Sequence, residues 1–138
     1  MRISISSDIE KIVQLVRVEF GDKAELFKPI VLPMDPLDGA EFKATKTAGV
    51  YVFVHDDLGC IRVGKSFSNA YKRALQHCGS DNTSSPDKAI QMSKLRHSDK
   101  MHMLVFALQK PESMHWISAL EQYLENNLEL RIPPKRKG

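Results

Sequence analysis

Residues 49–66 read GVYVFVHDDLGCIRVGKS, and the fold follows from how this stretch divides. Residues 49–55, GVYVFVH, are rich in β-branched and aromatic side chains, which predicts a strand. Asp56-Asp57-Leu58-Gly59 supplies turn chemistry. Residues 60–64 read as the returning strand. A connection this short joins only antiparallel neighbours, so the stretch is a hairpin. Alternation puts Tyr51, Phe53 and His55 on one face of its first strand and Val50, Val52 and Val54 on the other.

Downstream, Ser68 or Asn69 caps a helix running to about Cys78, and GSDNTSSP at 79–86 is a loop by composition. Pro86 or Asp87 opens a short helix to about Arg96. MHMLVFAL at 101–108 is a third strand, and Pro111 suits the first turn of a helix that runs over 114–128. Upstream, Ser7 or Asp8 caps a helix to about Phe20 with Ile9, Ile12, Val13, Val16 and Phe20 on one face, and Gly21 ends it. PIVLPMDPLDG at 29–39 holds three prolines and reads as an extended connector. The expected fold is α+β: a small three-stranded antiparallel sheet flanked by helices, with an N-terminal helical extension. Residues 47–132 form the expected core and 133–138 a basic tail. Residues 1–46 are an accessory layer of the same domain or a substrate-recognition arm.

With 138 residues the chain can bury one real core. No apolar run approaches the roughly 20 residues of a membrane span, and MRISISSDIEKIV lacks the apolar centre of a signal peptide. A cytoplasmic protein with no membrane partner is expected. Cys60 and Cys78 form no Cys-x-x-Cys pair, so free thiols in a reducing compartment fit better than a zinc site. A net charge of +3 permits nucleic acid without demanding it. Its distribution says more: Lys65, Lys72, Arg73, Lys88, Lys94, Arg96 and Lys100 crowd the middle, and Lys135, Arg136 and Lys137 follow. They are either a solvated face with a basic tail or one continuous phosphate-binding surface. His55, His97, His102 and His115 show no metal spacing and are expected at the surface or at helix ends.

Glu121 sits where a charge should not. At 100° per residue, Met114, Ile117, Leu120, Leu124 and Leu128 share one helix face, and Glu121 falls inside that stripe. A carboxylate turned toward a core needs a cation, a metal or a cleft; otherwise it snorkels to water from the rim.

Gly49-Val50-Tyr51, then Arg62-Val63-Gly64-Lys65-Ser66, then Arg73, His77 and the late Glu121 form an ordered set that resembles the GIY-YIG nuclease family. The resemblance spans roughly residues 48–130 and rests on the order and spacing of short pieces. It implies a metal-dependent endonuclease that hydrolyses phosphodiester bonds of DNA, double-stranded DNA first, with Mg²⁺ or Mn²⁺ on Glu121. It implies that Tyr51, with His77, orients the attacking water. Arg73 stabilises charge on the scissile phosphate, as a guanidinium fork can. Arg62, Gly64, Lys65 and Ser66 line the substrate. Arg62 stands where the family carries its second tyrosine. Asn126 and Asn127 come too early to match the family's late asparagine. Such a site requires Tyr51, Arg62, Arg73, His77 and Glu121 to converge on one cleft. Tyr51 and Glu121 on opposite faces of the sheet would end the nuclease reading.

Two other functions compete. One is a catalytically inactive nucleic-acid-binding module on the same fold, with Arg62 marking lost chemistry. The other is a P-loop nucleotide-binding protein, since GCIRVGKS at Gly59–Ser66 matches G-x-x-x-x-G-K-[ST] letter for letter. Against the second, Cys60, Ile61 and Val63 suit a strand, and 101–108 ends without an Asp for magnesium.

Overall fold

The computed structural model describes residues 3–33, 47–68, 70 and 100–131. The hairpin forms as the sequence predicts. Gly49–His55 (β2) pairs antiparallel with Gly59–Ser66 (β3), and Met101–Leu108 (β4) pairs antiparallel with the other side of β2. The sheet has four strands, not three. Phe27–Pro33 (β1) pairs antiparallel with β4, giving the order β1-β4-β2-β3. Its prolines argued for a connector. They are tolerated because β1 is an edge strand among the described residues, where a missing N–H need not break a ladder.

Ile3–Phe20 (α1) begins earlier than the predicted cap, and Gly21 ends it at a left-handed φ of 56°. Pro111–Ser113 is a separate 3₁₀ turn ahead of Trp116–Asn127 (α2), a helix shorter at both ends than 114–128. The two helices expected between 68 and 96 lie outside the described residues. Both described helices pack on one face of the sheet. Ile12 and Val16 from α1 and Ile117, Leu120 and Leu124 from α2 share a core with Val50, Val52, Val54, Leu104 and Phe106. Phe20 joins the helices, its ring edge-on to Trp116 at 6.1 Å and to Tyr123 at 5.6 Å. The opposite face is dry as well: Tyr51, Phe53, Met103 and Val105 have no exposed surface. Every residue of β2 is buried, so it is the central element in energy as well as position.

β3 carries one extra residue. Phe53 pairs with Arg62 and Val54 with Cys60, which leaves Ile61 as a bulge. The bulge shifts the register by one residue, so that Tyr51 faces Gly64 and Phe53 faces Arg62.

His55, expected at the surface, is buried at the end of β2. Its Nδ1 accepts hydrogen bonds from the Asp57 N–H at 3.1 Å and the Leu58 N–H at 3.3 Å, so the ring closes the turn as an acceptor. Burial lowers its pKa from the usual 6.5; Asp57 opposes this, and Lys100 and His102 add to it. The unfolded chain therefore binds the proton more tightly. The resulting stability is fully present above about pH 6.5 and is lost as pH falls below it. In His55→Asn, Oδ1 replaces Nδ1 on the same Cγ and keeps the acceptor without the titration. Thermal melts between pH 7.5 and 5 should show a smaller fall for this variant than for wild type; equal falls would remove His55 as the cause.

Candidate active site

Glu121 lies within the buried face of α2, between Leu120 and Leu124, with only 4% of its surface exposed. Its Oε1 accepts a hydrogen bond from Nζ of Lys65 at 2.9 Å, a partly buried ion pair between α2 and β3. The sequence singled out both residues but joined neither to the other: a divalent metal was the expected partner of Glu121, and the substrate that of Lys65. Lys65 pairs across the hairpin with Val50, and residues directly opposite share a face. Lys65 therefore projects to the α2 side, which is why it reaches Glu121.

Tyr51 projects the other way. Its ring meets Phe53 edge-on at 5.5 Å and spreads across the neighbouring strand to cover Gly64. A Cβ at Gly64 would collide with the Tyr51 hydroxyl and ring. Gly64, which the resemblance places along the substrate, is covered on this face by the phenol. Tyr51 and Glu121 thus lie on opposite faces of the sheet, and by the criterion drawn from the sequence this ends a nuclease site that uses both. β3 is an edge strand among the described residues; the Lys65–Glu121 pair stands on its α2 side, and the phenol covers Gly64 from the other.

Tyr51 has no exposed surface. Arg62 is half-buried and projects to the Tyr51 face, opposite Phe53. Ser66 ends β3, its Oγ accepting from the Ser68 N–H at 3.2 Å. Arg73 and His77 lie outside the described residues, as do Lys72, Lys88, Lys94, Arg96 and His97. Of the basic series, Lys65 and Lys100 are described, and they stand at opposite ends of the hairpin, on the order of 20 Å apart at the rise of a strand. Lys100 pairs with Asp57 at 2.7 Å.

Among the described residues no cluster of three or more His, Cys, Asp or Glu could hold a metal. Glu121 offers one carboxylate. That donor set suits a hard cation that keeps its waters and shares phosphate oxygens, and does not suit zinc. His102 Nε2 approaches Asp56 Oδ1 at 3.3 Å near the hairpin turn, away from Lys65. Cys60 is a free thiol whose pKa burial, reinforced by Asp8, pushes up to about 11, so it is protonated and unreactive. Gly59–Ser66 is a paired strand whose backbone serves the ladder and cannot wrap a phosphate, which removes the P-loop alternative. No helix among the described residues is long and apolar enough to cross a membrane. Compared with family models, with curated proteins and with solved structures, the chain matches none.

Proposed function

We propose that the rim of β3 binds DNA and hydrolyses a phosphodiester bond as a departure from the GIY-YIG arrangement, with Glu121 in the site and Tyr51 outside it. The observation that carries this reading is Glu121: a carboxylate kept almost wholly out of water, beside the lysine of the second hairpin motif. Desolvating a carboxylate costs several kcal/mol, roughly, and a helix stripe filled by leucine would avoid that cost. Mg²⁺ or Mn²⁺ held by Glu121 would supply Lewis acidity toward a phosphate oxygen. Lys65 releases the carboxylate on substrate binding and turns its ammonium to the phosphate. Arg62 adds positive charge from the Tyr51 face. Tyr51 holds the rim by lying over Gly64.

A second reading is binding without cleavage. It is favoured by the placement of Tyr51 and Glu121 on opposite faces and by arginine at the second tyrosine's position. Supercoiled plasmid with Mg²⁺ or Mn²⁺ separates the two. The nuclease yields open-circular product with metal and none with EDTA. Plasmid retarded in a gel but never nicked assigns the binding module. Neither retardation nor nicking at low salt removes both, because phosphate contacts are strongest there.

A further inference from the structure

Phe67 follows the candidate site directly and is one of four large hydrophobic residues exposed among those described, at 47%. Single exposed apolar side chains are common; the surroundings of this one are not. The Lys65 ammonium that holds Glu121 also sits 5.6 Å from the centre of the Phe67 ring. Laid end to end, 5.6 Å and 2.9 Å bound the distance from ring centre to Glu121 Oε1 at about 8.5 Å. The ring thus stands within a nucleotide's reach of the carboxylate. Its segment is tied down at both sides. The Ser68 N–H donates to Ser66 Oγ at 3.2 Å, and the Ala70 N–H donates to the Thr47 carbonyl at 2.7 Å. A half-exposed aromatic held in place beside a cation is the pairing that single-stranded nucleic acids use, bases on the ring and phosphates on the charge.

We propose that Phe67 is a stacking platform for an unpaired base next to the scissile phosphate, so that the substrate is single-stranded or carries a mismatch, bulge or frayed end at the site. This rests on the nucleic-acid reading of the β3 rim. In a fully paired duplex the base faces are occupied by their neighbours and the ring has nothing to stack on.

The test uses the full chain with EDTA and oligonucleotides bearing 2-aminopurine: a single strand, the perfect duplex, and a duplex with the probe unpaired. Wild type should bind the first and third tighter and quench their fluorescence. Phe67→Ala should weaken those two on the order of tenfold or more and lose the quench, with less than about twofold change for the perfect duplex. Phe67→Trp should restore both, and melting temperatures should be unchanged throughout. Equal losses on all three probes, or none, overturn the stacking role while nucleic-acid binding stands. Wild type that binds no probe at low salt overturns the rim as a nucleic-acid site and the stacking role with it.

Discussion

Glu121→Gln is expected to abolish plasmid nicking, by about a thousandfold or more, while leaving the fold intact. The loss follows from charge. A neutral amide keeps the shape of the side chain but offers a hard divalent cation only a weak carbonyl oxygen. A Lewis acid at a developing phosphate charge is worth several kcal/mol, and each ~1.4 kcal/mol is tenfold in rate. The stability term is small. Glu121 no longer has to be desolvated, and the amide oxygen can still accept from Lys65. Lys65 is 24% exposed and can turn toward water if it must. The net change in unfolding free energy should stay within about 1 kcal/mol. Lys65→Met is the informative contrast. It leaves the carboxylate in place with only 5% of its side chain exposed, and the buried charge loses the ammonium that stands 2.9 Å from it. Its cost should be the larger of the two, about 1–3 kcal/mol. Mn²⁺ should raise the melting temperature of Lys65→Met more than that of wild type, because the metal then restores the missing charge. A Glu121→Gln protein that nicks at the wild-type rate takes Glu121 out of the chemistry and leaves it a structural partner of Lys65.

What could be read from residues alone follows a physical line. The hairpin, the third predicted strand and the buried face of α2 rest on local patterning, period 2 or 3.6, and these appear with nearly the predicted bounds. Glu121 was visible because a charge broke such a pattern. The fourth strand was missed because FKPIVLP carries two prolines, and only a sheet edge, a tertiary fact, makes them tolerable. The Lys65–Glu121 pair spans 56 residues, and nothing local specifies it. Pairing Val50 with Lys65 sends the lysine to the helix face, and that register in turn depends on the bulge in β3. The one-residue bulge at Ile61 was not legible, and it decides which β3 residue lies opposite Tyr51. Without it Gly64 would not face the phenol.

Gly64→Ala is expected to destabilise the protein by about 2–3 kcal/mol, on the order of 10 °C in melting temperature for a chain of this size. Alanine normally improves a strand position over glycine by roughly 0.5–1 kcal/mol, because glycine loses more backbone freedom on folding. The opposite sign is expected here because the added methyl would occupy the space of the Tyr51 ring, with Cε1 only 2.7 Å away. Tyr51 has no exposed surface, so the ring cannot swing aside without displacing its neighbours. The cause is tested in a second background. Tyr51→Leu is itself costly, since it leaves a void, but it removes the ring from over Gly64. Adding Gly64→Ala to it should then be neutral or stabilising, the methyl filling part of the void, with a coupling of at least about 1 kcal/mol in a double-mutant cycle. Gly49 supplies the control. A Cβ there would meet the Phe106 carbonyl oxygen of β4 at 2.5 Å, a backbone atom that no side-chain change can move. Gly49→Ala should therefore be severe and should stay severe in the Tyr51→Leu background. If Gly64→Ala costs the same with and without the Tyr51 ring, the glycine serves something other than the phenol. A place along the substrate, the role the resemblance implies, then becomes the stronger account of it.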